Sequence, residues 1–129
     1  MKRLVRYLSL VLFTLVLAGA DFAHAQGPGS YARRTGPLGG PLRLEANFVA
    51  GDTCQAALSA KRGAPAGQAI GPDTIPVTIV IGPNPKGCGT SRVVTRIMTL
   101  GGPKEINIIQ IFFVNPAGRI LKVERISAG

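Results

Sequence analysis

Tryptophan is absent from this 129-residue chain, and histidine occurs only once, as His24. His24 falls inside an N-terminal stretch, 1–25, with the three parts of a secretory signal peptide. Lys2, Arg3 and Arg6 form a basic start, Leu8 to Leu17 an apolar run, and Ala23-His24-Ala25 a cleavage site ahead of Gln26. The mature chain would then contain no histidine at all. That removes the usual base for a serine or cysteine nucleophile and the usual nitrogen ligands of zinc and copper. Ser30, Ser59, Ser91 and Ser127 sit in no nucleophile-elbow context.

Acidic residues are also scarce, six in the whole chain. The five beyond residue 25 are Glu45, Asp52, Asp73, Glu105 and Glu124, too scattered to form a compact metal-binding motif. No catalytic residue, metal ligand or cofactor is assigned on this basis. Aromatic residues beyond residue 25 are limited to Tyr31, Phe48, Phe112 and Phe113, which disfavours base stacking and hence nucleic acid as a partner. No apolar run approaches the roughly 20 residues that span a bilayer. The protein is therefore expected to be exported, periplasmic or secreted, and soluble once the signal is removed.

Cleavage after Ala25 leaves 104 residues (129 less 25) carrying 12 Lys and Arg against five Asp and Glu, a net charge of +7. A balance of that sign suits anionic polymers or surfaces. Arg33, Arg34, Arg92 and Arg96 are the candidate contacts. The two cysteines, Cys54 and Cys88, point to one disulfide in an exported chain.

Cys88 lies in GPNPKGCGTS, 82–91, which invites comparison with a phosphate loop. The residue after Gly87 is cysteine where that motif needs lysine. Pro83 and Pro85 also lack the N–H groups that would grip a phosphate. A proline-rich loop stiffened by a disulfide can instead present a basic side chain to a protease. Lys86 and Arg92 of the 82–92 loop are the candidates for that role.

Along the chain, 26–41 reads as a flexible Gly/Pro-rich arm and 42–129 as a single small β-rich domain. Residues 42–49 alternate as a half-buried strand, Leu42, Leu44, Ala46 and Phe48 on one face and Arg43, Glu45 and Asn47 on the other. Alanine content, Asp52 as N-cap and Gly63 as stop favour a short helix over 52–63, although alternation also admits a strand. Four strand-like segments follow, 75–81, 92–100, 105–114 and 119–126, joined by short turn signals. Short connections predict antiparallel neighbours. The expected fold is thus mainly β (α+β): a four-stranded antiparallel meander plus an N-terminal strand, one short helix and one disulfide. An all-β sandwich is the alternative.

The NPAG turn, 115–118, pairs Asn115 with Arg119 and sets Phe113 opposite Leu121 and Ile111 opposite Val123. In that register Ile109, Ile111, Phe113, Leu121 and Val123 form the domain's own core. Ile106, Ile108, Phe112 and Val114, with Ile120 and Ile126, form a second apolar face. Ile108, Phe112 and Val114 are its candidate contacts for a partner protein or a second protomer of a homodimer. The leading functional expectation is an exported, non-catalytic binding or interaction module with a basic surface. A small protease-inhibitor-like protein acting through 82–92 comes next. A hydrolase using scattered carboxylates is the third reading, and an enzyme is the less favoured class.

Overall fold

The computed structural model describes residues 29–35, 40–101 and 108–128. The expected signal peptide, residues 26–28 and 36–39 of the expected arm, and Glu105 and Ile106 lie outside the described residues. Seven strands follow one another: β1 Tyr31–Arg34, β2 Leu42–Val49, β3 Gln55–Arg62, β4 Thr74–Pro83, β5 Val93–Leu100, β6 Ile108–Val114 and β7 Ile120–Ser127. They form a three-stranded sheet, β1-β2-β5, and a four-stranded sheet, β3-β4-β6-β7.

The two sheets share one apolar core. Leu42, Leu44, Ala46, Val94 and Leu100 enter it from the smaller sheet; Ile75, Val77, Ile79, Ile81, Ile109, Ile111 and Phe113 enter it from the larger. Phe48 meets Phe113 across the gap with ring centroids 5.1 Å apart. Alternation along β2, β4 and β6 puts every second side chain into that gap, the pattern of two packed sheets. The all-β alternative is therefore the better description.

Several expectations need correction. The first is the helix over 52–63, where the chain instead forms β3. Ala57 pairs with Ile81 and Ser59 with Val80, so Leu58 is an extra residue in a β-bulge. Past the bulge, Ala60 pairs with Ile79. Ala57 and Ala60 both pack against the core, and their three-residue spacing imitates a helical period. Asp52 does accept a backbone N–H, but from Cys54 two residues on at 2.7 Å, the geometry of a turn.

The second correction concerns the meander. β4 and β6 are parallel neighbours, with Thr74 beside Ile108 and Val80 beside Val114. β5 belongs to the other sheet, antiparallel to β2. The 84–92 connection is long enough to cross the roughly 10 Å between packed sheets, and it does so with Cys54 and Cys88 joined as a disulfide. Only the connections of β1 to β2, β3 to β4 and β6 to β7 link antiparallel neighbours. The third correction is the arm: its residues 31–34 form β1, an edge strand on β2.

The last hairpin also departs from its expected register. Asn115 donates to Arg119 O at 2.9 Å as expected. One step on, Val114 pairs with Ile120 but Phe113 with Lys122, which leaves Leu121 in a second bulge. Every later pair shifts by one: Ile111 faces Glu124, Phe112 faces Val123 and Ile109 faces Ile126. Leu121 and Val123 are consequently exposed, and Ile126 packs on the core.

These shifts place charge where the sandwich would otherwise be vulnerable. Cross-strand partners share a face. Arg34 partners Leu42, Arg96 partners Ala46, Arg62 partners Val77, and Lys122 and Glu124 partner Phe113 and Ile111. All four edge strands, β1, β5, β3 and β7, thus carry a charged residue at a core-facing register position. Inward charge on an edge strand blocks sheet-to-sheet addition, because a docked neighbour would bury it. Their roles follow from position: Arg62 donates to Gly101 O at 2.7 Å on the β3–β5 side, and Glu124 accepts from Ser30 N and Oγ on the β1–β7 side.

Candidate binding surface

The outer face of the three-stranded sheet is built from the odd-numbered residues of β1, β2 and β5. Tyr31, Glu45 and Ile97 form one cross-strand row; Arg33, Arg43 and Thr99 form the next. Tyr31, Arg33, Thr95, Ile97 and Thr99 are exposed, and Arg43 and Glu45 are half-buried. Tyr31 and Ile97 each keep 47% of their surface in solvent. The strand pleat sends these side chains outward because their neighbours Ala32, Leu44 and Val94 are committed to the core.

The phenol of Tyr31 is held above its ordinary value of 10.0, chiefly by its hydrogen bond to Glu45. Partial desolvation and the Glu45 charge act in the same direction, while Arg33 and Arg43 act against them. Arg33 and Arg43 thus lie near enough for their charges to act on the phenol. Next to this row, buried Asn47 anchors the sheet's end. Its amide donates to Gly29 O and to Glu45 Oε2, and its carbonyl accepts from Thr95 Oγ1 at 2.6 Å. Ser30 Oγ accepts from Asn47 N and donates to Glu124 Oε1 at 2.6 Å, which ties the start of β1 to both sheets.

The four arginines expected to share a partner are not brought together. Arg33 lies on the exposed face just described. Arg34 takes the core-facing position of β1 and reaches Gly40 O at 3.2 Å. Arg92 uses Nε to hold Ala50 O at 3.0 Å, beside the backbone bond from Ala50 N to Arg92 O. Arg96 is the core-facing charge of edge strand β5. Arg43, by contrast, stands directly across from Arg33. Alternation in 42–49 already put it on the polar face; what concealed the site was the Gly/Pro setting of Tyr31 and Arg33.

Apart from buried Gly82 and half-buried Asn84, the 82–92 loop is exposed, and it is closely fastened. Asn84 N donates to Cys54 O at 2.9 Å and Gly89 N to Thr53 O at 2.8 Å. Asn84 to Gly87 form a tight turn, closed by Gly87 N to Asn84 O at 3.0 Å and by Lys86 N to Asn84 Oδ1 at 2.9 Å. Gly87 has φ of 92°, a left-handed conformation that glycine adopts freely. Lys86 therefore sits in a folded turn. Of the expected interaction face, Phe112 and Val114 are buried within the chain and Ile108 is half-buried.

Phe112 lies on the side of β6 opposite the shared core, beside Thr78 and Val123. Thr78 Oγ1 donates to Gly63 O at 2.7 Å, and 64–66 of the β3–β4 connection, 63–73, lie against this outer face. Between that connection and the sheet runs a groove of 470 Å³, lined by Lys61, Thr78, Val80, Val114, Asn115 and Pro116 together with 64–66 and Gly118. A second depression of 310 Å³ adjoins it across Asn115 and Pro116 and is lined by Phe48, Ile81 and Leu121 among others.

Among the described residues no three His, Cys, Asp or Glu side chains cluster. Nor is any helix among them long and apolar enough to cross a membrane. Neither a protein-family model, nor a curated protein, nor a solved structure matches the chain.

Proposed function

We propose that the protein is an exported, non-catalytic binding module that engages an anionic polymer or surface through the outer face of its three-stranded sheet. The observation that carries this reading is the direct cross-strand pairing of Arg33 with Arg43. Like charges directly opposite one another destabilise a sheet, and a bound anion would reverse that cost by bridging both guanidinium groups. Exposed Tyr31 and Ile97 supply contact area alongside. The net charge of the mature chain adds long-range attraction.

The inhibitor reading has less support, since the turn at Lys86 is unlike the extended backbone by which a peptide lies along a protease cleft. The hydrolase reading also has little: Asp52 is held in its own turn, and Glu45 and Glu124, linked through Asn47 and Ser30, are both taken up by structural hydrogen bonds.

The test is binding to an immobilised polyanion across a salt series. Affinity should fall steeply as salt rises. Arg33→Ala and Arg43→Ala should each weaken binding and flatten the log–log slope by about one. Arg96→Ala, on the edge of the sandwich, should change it far less. Equal effects from all three variants would show only diffuse attraction to net charge and would remove the proposed face.

A further inference from the structure

We infer that the groove on the outer face of the four-stranded sheet is a second binding site, for an aliphatic carboxylate. It lies on the opposite side of the sandwich from Arg33 and Arg43 and does not depend on that reading. Its volume of 470 Å³ is within the range of small-molecule pockets, about 300–1,000 Å³. The apolar part of its lining comes from Val80 and Val114 of the sheet, 64–66 of the β3–β4 connection, and Pro116 of the β6–β7 turn.

The polar groups in the lining decide the ligand's charge. Thr78 has given its hydroxyl hydrogen to Gly63 O. Asn115 has committed its side-chain oxygen to Arg119 N at 2.8 Å, which leaves its NH₂ group as a donor. Lys61 supplies an ammonium, and no carboxylate lines the groove. The groove therefore offers a positive charge from Lys61 and an amide donor from Asn115 beside its apolar residues, with Thr78 Oγ1 left only as an acceptor. The complementary ligand has an anionic acceptor at one end and a hydrocarbon body.

The rim extends that apolar surface. Both bulges of the four-stranded sheet expose a leucine, Leu58 at 43% and Leu121 at 44%. Leu58 and Pro116 close around Gly82, where an added Cβ would lie 2.7 Å from Leu58 Cδ1 and 2.8 Å from Pro116 Cγ. Leu121 lines the adjoining depression with Gly82 and Pro116. A chain that outgrows the first groove meets apolar surface across Pro116.

The experiment titrates the purified protein with alkanoates of six to twelve carbons below their micelle concentrations, and with the matching alcohols. The dissociation constant should fall about fourfold per added methylene until the groove is filled. Lys61→Gln should weaken alkanoate binding about tenfold and leave the alcohols unchanged. Lys61→Glu should reverse the preference towards alkylammonium ions. Lys61 is exposed, so these variants keep the fold, which circular dichroism checks directly. The inference is overturned if alkanoates do not bind, if alcohols bind as well as carboxylates, if affinity is independent of chain length, or if Lys61→Gln has no effect.

Discussion

Replacing Phe112 by alanine separates a face that is part of the fold from a face left for a partner. Phe112 has no solvent exposure, although it points away from the core that Ile111 and Phe113 enter. Beside it on that outer face stand Thr78 and Val123, and the β3–β4 connection begins there, fastened by Thr78 to Gly63. Truncating a buried phenylalanine costs about 3–5 kcal/mol, against about 2–5 kcal/mol for a buried isoleucine such as Ile111. A small domain holds only about 5–15 kcal/mol in total. With a urea m-value near 1.5 kcal/mol/M, in the usual range of about 1–3, a loss of about 4 kcal/mol lowers the midpoint by about 2–3 M. Phe112→Ala and Ile111→Ala should therefore shift the midpoint by similar amounts. Light scattering should show no change in association for Phe112→Ala under conditions where it stays folded. A midpoint shift below about 0.5 M for Phe112→Ala, at unchanged m, would refute the burial and restore Phe112 to an interaction face.

Three further outcomes follow from particular contacts. Cys54 and Cys88 close a loop of 34 residues' separation, so either Cys→Ser should lower stability by about 3–4 kcal/mol in the chain-entropy model, read from denaturant midpoints. Alkylation of unreduced protein followed by mass spectrometry should find no free thiol. Tyr31 is the one tyrosine beyond residue 25, and its phenol should titrate above 10.0 by ultraviolet absorbance and return towards that value in Glu45→Gln. A raised folded-state value means that the phenol's contribution to stability is fully present below its unfolded pKa near 10. That contribution is lost as pH climbs through the folded one. Gly82→Ala should destabilise by about 1–3 kcal/mol through overpacking; Leu58→Ala should relieve part of this and leave the rigid Pro116 contact.

Much of the strand content was legible from alternation, because a half-buried strand repeats every two residues whatever it packs against. Residues 42–49 show this: Leu42, Leu44 and Ala46 are buried at the positions alternation assigns them. The pairing of Cys54 with Cys88 was equally readable, since two cysteines have one intramolecular choice. Ile109, Ile111 and Phe113 were recognisable as core for their uniform apolarity.

What tertiary structure alone decided begins at the bulges. One extra residue at Leu58 turned a period of two into a spacing of three and made a strand resemble a helix; another at Leu121 moved every later partner of β6 by one. A bulge is stabilised by its neighbours across the sheet, so local propensity does not report it. Sheet membership was hidden for the same reason. Whether β5 adds to β4 or crosses to β2 depends on which apolar face it can bury, and that face is supplied by residues 42–49, far away in sequence. Arginine marks a position as polar in any one-dimensional reading. Arg34, Arg62 and Arg96 nonetheless occupy core-facing registers, which are tolerable because each lies on an edge strand, where Arg62 and Arg96 are exposed and Arg34 reaches Gly40 O. The Arg33–Arg43 pair likewise exists only once β1 folds back on β2 and sets two like charges face to face.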